Sequence, residues 1–368
     1  MLKHIKNLTL GIEEEYQLID PKTRELTSYI SEILEQGSLV FKDEVKPELL
    51  QSQIEIGSQV CSNVDELKID LQRLRGLVRD YAAKENLSII AAGTHPFSHW
   101  KDQIVTDNER YHGFMDSTQY VGKRMLIFGM HVHVGIKDLD LRIDIMNQMR
   151  YFMPHLLALS TSSPFWQGSD TGFKSFRSII FEDLPRTGIP EVFESYQDYK
   201  NYTKTLIKCN SISDPTKIWW DIRPHPIYPT LEFRICDCCT RISDAIAIAA
   251  LIQALVAKLI ILRKSNQTWR NYRGSLIHEN KWRATQHGID SNLLDLGRNK
   301  EVTYKKLIYE MLEFVDEVKD DLGISSHLKA IEDIIENGSS ADRQLKIFKQ
   351  TNDLKAVVDH LITETAQQ

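Results

Sequence analysis

Gly11-Ile12-Glu13-Glu14-Glu15-Tyr16 lies within residues 8–19, which read as a β-strand closed by the turn signal Asp20-Pro21. On a strand, side chains at i and i+2 share one face, so Glu13 and Glu15 stand together. The same spacing returns twice. His131 and His133 carry it in Gly129-Met130-His131-Val132-His133-Val134-Gly135, and Glu232 and Arg234 in Leu231-Glu232-Phe233-Arg234-Ile235. Taken singly, each pair has an ordinary reading: a solvated edge, structural imidazoles, or a surface ion pair of little worth. Together they read differently. Val132, Val134, Phe233 and Ile235 are apolar, so these strands are buried on one face. Carboxylates gathered on the other face of a packed sheet need compensating charge, and a divalent cation supplies it.

Glu48 and Glu55 extend the set. Residues 49–60 alternate like a strand, with Ile54, Ile56 and Val60 pointing one way and Gln51, Gln53 and Glu55 the other. A regular strand cannot put Glu48 and Glu55 on one face, so a bend or bulge before Gln51 is required, and Pro47 favours it. Ligands that are mainly carboxylate oxygens suit Mg²⁺ or Mn²⁺; zinc prefers nitrogen and sulfur. The rival metal motif, Cys236-Asp237-Cys238-Cys239, lacks the second ligand pair of a structural zinc site and reads as buried free thiols.

Cations follow in a Gly-, Ser- and Pro-rich stretch at 162–190, read as a long ordered loop: Lys174, Arg177 and Arg186. Arg223 and Arg241 come later. The planar fork of arginine fits phosphate oxygens. No Gly-x-x-x-x-Gly-Lys occurs, so a nucleotide would not be held by a P-loop. Carboxylate-bound metal facing arginines is what phosphoryl transfer from ATP requires.

The surrounding chain is α+β. Residues 64–86 form an amphipathic helix with Leu67, Leu71, Leu74 and Val78 on one side, behind the cap candidates Ser62 and Asn63. Short strands are expected at 87–93 and 124–136, helices at 141–159 (kinked at Pro154) and 191–209, and extended chain at 219–235. Residues 245–262 are nearly all apolar, but contain Gln253 and Lys258, with Asp244 at the start behind Ser243 as cap. An ionised lysine in mid-span costs ~3 kcal/mol on insertion scales, so this is a core helix rather than a membrane span. Residues 1–368 are expected to form a single catalytic domain, mostly helical from about 291.

The 368 residues are 42% hydrophobic and 26% charged, a globular composition, and the net charge of −6 shows no basic stripe, which excludes nucleic acid as the expected partner. Five cysteines without framework spacing point to a reducing compartment, and the N-terminus lacks the apolar core of a signal peptide. The expected location is cytoplasmic.

Read together with Gly93-Thr94-His95-Pro96, Ser163-Pro164-Phe165-Trp166-Gln167-Gly168, Trp220-Asp221-Ile222-Arg223-Pro224 and Asn280-Lys281-Trp282-Arg283-Ala284, these strands resemble the carboxylate–amine ligase branch of the type 2 glutamate–cysteine ligases. The motifs run in order from residue 8 to about 290; the helical C-terminus matches in type alone. The resemblance implies a glutamine-synthetase-like fold, a curved antiparallel sheet with flanking helices that carries metals on its concave face. It also implies ATP, Mg²⁺ (with Mn²⁺ as the alternative) and an acyl-phosphate intermediate. Carried over by position, Glu13, Glu15, Glu48, Glu55 and Glu232 become metal ligands. His131 joins them beside the nucleotide phosphates, and His133 lies next to it. Arg234 and Arg177 would act on phosphate or acyl group, with Lys174 and Arg223 as further nucleotide contacts. The expected reaction joins an amino-acid carboxylate, glutamate foremost, to an amine such as cysteine; a homodimer is an admissible assembly. The readings held against it are a metal-dependent amide or ester hydrolase on the same face, and a binding protein that has kept the scaffold.

Overall fold

The alternation in the first strand builds the sheet. In β1 (Leu10–Ile19), Leu10, Ile12, Glu14 and Tyr16 are buried, whereas Gly11, Glu13 and Glu15 are partly open. A computed structural model describes residue 5 and residues 8–31, 33 and 44–367. Around β1 it places β2 (Val45–Pro47), β3 (Gln53–Gly57), β4 (Ser88–Ile90), β5 (Gly129–Gly135), β6 (Ile222–Pro224) and β7 (Thr230–Asp237). Their order is β6-β7-β5-β1-β3-β2, with β4 also paired to β1. Every pairing in this sheet is antiparallel.

One side of the sheet is covered by helices. The chief ones in chain order are α1 (Val64–Lys84), α2 (Leu139–Met149), α3 (Met153–Ser160), α4 (Ile242–Lys264), α5 (Gly274–His287), α6 (Ser325–Asn337), α7 (Ser340–Thr351) and α8 (Leu354–Ala366). In α1 the Asn63 side chain accepts from the Glu66 amide, and Leu67, Leu71, Leu74 and Val78 are buried as the helical spacing predicts. α4 is the one helix among the described residues long and apolar enough to cross a membrane, and it is sunk in the core. Two of its polar residues find partners there: the Gln253 Nε2 donates to the Leu8 carbonyl at 2.8 Å and Lys258 pairs with Glu317. The N-cap is Arg241 rather than Ser243, with no side-chain cap bond.

Three expectations need correction. The 141–159 helix is two helices, α2 and α3, separated by a 3₁₀ turn at Arg150–Phe152. Pro154 lies in the first turn of α3, where its missing N–H leaves no bond unmade. The 49–60 strand is also divided. After β2 the chain turns to place Leu50 against Val105, then returns as β3, and Val60 ends 79% exposed instead of joining Ile54 and Ile56. Glu48 and Glu55 therefore meet through a chain reversal, not a bend within one strand. The 162–190 stretch, expected as a loop, carries a short helix at Phe176–Phe181, whereas the C-terminal region is mostly helical as expected once past its opening hairpin, Asn292–Asp295 with Lys300–Thr303.

Of the three adjacent glutamates, the middle one faces the helices. Glu14 is fully buried, and Arg75 of α1 donates to both its oxygens at 2.8 and 2.7 Å. The Tyr16 hydroxyl donates to the same carboxylate, and Arg75 also reaches the Thr240 carbonyl at 2.6 Å. This ion pair ties β1 to α1 and to the end of β7. Removing one partner of a buried pair leaves an uncompensated charge, so Arg75→Met should lower stability by about 3–5 kcal/mol in denaturant titration. A loss below about 1 kcal/mol would show that Glu14 finds other compensation.

Candidate active site

Strand register brings distant motifs into one patch. Glu15 of β1 stands directly opposite Glu55 of β3, and Glu13 opposite His131 of β5. His133 stands opposite Glu232 of β7, which faces Arg223 of β6. Two acidic clusters result. Ligand atoms of Glu15, Glu48 and Glu55 lie within 4.8 Å of one another, and so do those of Glu13, His133 and Glu232.

The clusters differ in how their charge is balanced. In the first, Glu15 accepts from the Gly129 amide at 2.6 Å and Glu48 from the Leu49 amide at 2.9 Å. Among the described residues, no lysine or arginine forms an ion pair with these three carboxylates. Burial, reinforced by Glu48, raises the Glu15 carboxyl to about 7. Burial and the neighbouring glutamates push Glu55 well above the usual carboxylate range, and burial raises Glu48 as well. A cluster of oxygen donors lacking its own cation fits Mg²⁺ or Mn²⁺.

The second cluster carries cations. Burial would raise Glu232, but Arg223 at 2.7 Å and Arg234 at 2.6 Å hold it far below the ordinary range. Burial likewise opposes ionisation of Glu13, but the hydrogen bond from His131 and the nearby His133 imidazole outweigh it. His131 Nδ1 lies 3.0 Å from Glu13, and burial lowers that imidazole to about 4, so it is neutral. His133 Nε2 is 3.6 Å from Glu13, and its pKa is raised because its acidic neighbours overcome the effect of burial. It is thus His133 whose ligand atom gathers with Glu13 and Glu232, while His131 hydrogen-bonds Glu13 from the facing position.

A bulge in β7 sets Arg234. Register with β5 shifts between Phe233 and Cys236, so Arg234 and Ile235 together oppose His131. Arg177 braces this bulge by donating to the carbonyls of Ile235 (3.3 Å) and Arg234 (3.1 Å). The guanidinium lies against Gly129, where an added Cβ would come within 2.5 Å of Nη2. Its second support is Asp237, buried inside the cysteine-rich motif, which accepts from Ser162 N (3.0 Å), Ser163 Oγ (2.7 Å) and Ser175 Oγ (2.8 Å). Cys236, Cys238 and Cys239 are free and buried, with thiols raised by burial.

Other expected cations lie elsewhere. Lys174 pairs with Asp342 of α7 and with Asp290, and joins neither acidic cluster. Arg241 is held by Glu364 and Asp333, and Arg186 donates to the Lys217 carbonyl. Arg223 is at the site, but its Nη1 is taken by the Thr216 and Ile218 carbonyls. Residues with no role in the motif reading also come forward. Lys281 reaches Asp221 at 2.7 Å and Glu182 at 2.9 Å, joining two motifs that are distant in sequence. His225 stacks on Tyr228 with centroids 4.7 Å apart and meets His133 edge-on at 5.4 Å. Aromatic residues beside Pro226 and Pro229 are the local signal of such a platform. A cleft of about 1070 Å³ opens there, lined by Glu13, His133, Lys46, Tyr228, Thr230 and Lys264.

Known structures share this fold. A glutamate–cysteine ligase from Francisella tularensis in complex with AMP superposes with TM-score 0.72 at 14% identity, covering 98% of this chain and 90% of that one. A bifunctional glutathione synthetase from Pasteurella multocida also gives 0.72 at 13% identity, with this chain spanning 52% of its length. The chain therefore shares the fold of these two proteins. The model of glutamate–cysteine ligase family 2 matches residues 9–360, and the chain belongs to that family. Relatives under the provisional name glutamate–cysteine ligase 2 include one from Roseiflexus castenholzii, 52% identical over 98% of this chain and 95% of its own. Another, from Solibacter usitatus, is 48% identical over 98% and 94%.

The raised carboxyls give a pH signature. A group held at about 7 when folded and near 4.5 when unfolded contributes stability that is full below 4.5 and lost as pH climbs through 7. In chelator, the melting temperature of Glu15→Gln relative to the parent should therefore rise from pH 4.5 to 7.5, and Mg²⁺ should reverse the order. A difference independent of pH and metal, measured by thermal melting, would mean that Glu15 is an ordinary solvated carboxylate.

Proposed function

We propose that the chain uses ATP to activate a substrate carboxylate, the γ-carboxylate of glutamate foremost, and transfers the acyl group to an amine, with cysteine the first candidate. The observation that carries this reading is the pair of acidic clusters on adjoining strands, one without a cation of its own and one held beside Arg234. Glu15, Glu48 and Glu55 would hold one divalent ion, and Glu13, His133 and Glu232 another, with His131 orienting Glu13. Bound there, Mg²⁺ offsets the charge of the triphosphate.

The cleft beside Glu13 and His133 suits ATP, with the base against the Tyr228–His225 stack. Arg234 Nε is buried without a hydrogen-bond partner, which leaves it free for a phosphate oxygen. The substrate carboxylate attacks the γ-phosphorus, ADP departs, and the amine then attacks the acyl phosphate and releases inorganic phosphate. Arg234 offsets the charge in transit, and Arg177 acts by keeping the bulge that aims it. Membership of a ligase family leaves the hydrolase reading without support.

Phosphate release should require ATP, glutamate, an amine and Mg²⁺ or Mn²⁺ together. Full activity in excess chelator, or turnover without ATP, would overturn the reading. Glu55→Gln should cut the rate by ~10²-fold or more while leaving the fold intact. His131→Ala should melt near the parent and lose rate or ATP affinity; the reverse pattern, a large drop in melting with specific activity kept, would assign His131 to the scaffold.

A further inference from the structure

The trio Glu15, Glu48 and Glu55 does not line the nucleotide cleft; a different segment covers it. Thr106 donates to the Glu48 carbonyl at 2.6 Å through its hydroxyl and to Leu49 O at 2.9 Å through its amide. Tyr111 donates through its hydroxyl to Pro47 O at 3.0 Å. The chain is thus fastened on both sides of the turn that carries Glu48. Between these ties begins a helix, Glu109–Thr118, capped by Asn108. None of its residues is buried, and Phe114 packs edge-on to Trp219 at 5.8 Å.

Arg110 sits in the first turn of that helix. It is exposed, its charge acts on Glu48, and among the described residues its guanidinium forms no hydrogen bond or ion pair. The other arginines at the face are committed: Arg177 to the bulge carbonyls, Arg223 to Glu232 and two carbonyls, and Arg234 to Glu232. Lys46, opposite Glu55, opens instead into the nucleotide cleft. A substrate with a second carboxylate must bring that charge beside three carboxylates. Its reacting carboxylate is directed to the metals; the other needs a planar, bidentate cation, which an unpaired arginine supplies.

We infer that Arg110, presented by this surface helix, recognises the non-reacting carboxylate of the acyl substrate and so selects α-amino dicarboxylic acids over monocarboxylates. The inference rests on the ligase reading above. Because Arg110 is exposed and unpaired, its replacement should leave the fold intact.

Two measurements decide it. Calorimetry with Mg²⁺ and a non-hydrolysable ATP analogue should show that the parent binds glutamate more tightly than 4-aminobutyrate, which keeps the reacting carboxylate and amine but lacks the α-carboxylate. Arg110→Met should weaken glutamate by about 10- to 100-fold, leave 4-aminobutyrate unchanged, and so abolish the preference. Arg110→Lys should recover part of the loss. In turnover, KM for glutamate should rise by a similar factor, with kcat and the KM for ATP nearly constant. If the parent binds glutamate with this selectivity yet shows no ATP-dependent turnover, the ligase reading fails and the assignment of Arg110 stands. Equal weakening of both ligands, a fall in kcat alone, or no glutamate binding by the parent overturns the assignment.

Discussion

Glu15 and Glu55 face each other across neighbouring strands, an arrangement in which like charges are destabilising. Glu48 adds a third carboxylate to the same point. A fold can hold such a patch only if the rest of the structure prevents the strands from slipping or the acids from turning away. A one-residue slip of β1 would exchange Glu13 and Glu15 for Glu14, moving the acids into the helix-covered side. The buried Glu14–Arg75 pair opposes that slip, since Arg75 is anchored in α1 and bound to the backbone after β7. The ion pair on the hidden face thus holds the register of the acids on the open one.

The two clusters are unequal, and the inequality has chemical content. Glu232 has arginines on two sides and remains charged at any working pH, so the second cluster is a fixed array of alternating charge. The first cluster is a set of acids that bind protons strongly when no cation is present. In the function proposed above, charge arriving with substrate would meet a preorganised site at one end and an adjustable one at the other. Preorganisation of this kind removes the reorganisation that water would otherwise require.

Asp237 is the point where the scaffold and the site join. Its carboxylate collects Ser162, Ser163 and Ser175 from the long loop and faces Arg177, which in turn supports the bulge under Arg234. Gly93 and Gly129 answer to close approach. A Cβ on Gly93 would lie 2.8 Å from the Asp237 carboxyl carbon, and one on Gly129 would displace Arg177. Four motifs scattered along the chain thus become one braced unit.

Much of this was legible along the chain. Period-two spacing depends on backbone geometry alone, so Glu13 with Glu15, His131 with His133 and Glu232 with Arg234 could be placed on common faces without knowledge of their partners. Order and identity of the motifs added the family, and Gln253 and Lys258 within the otherwise apolar residues 245–262 marked α4 as a core helix. What could not be read is whatever depends on pairing across long separations. Whether Glu48 and Glu55 meet by a bend or a reversal is decided by contacts to Val105, and whether Lys174 or Arg177 serves the site is decided by Asp342 and Asp237. The bulge that sets Arg234, and the choice of His133 over His131 beside Glu232, follow from how β7 registers on β5. Local spacing determines which side chains share a face; only the folded chain, by closing loops of tens to hundreds of residues, decides which faces meet.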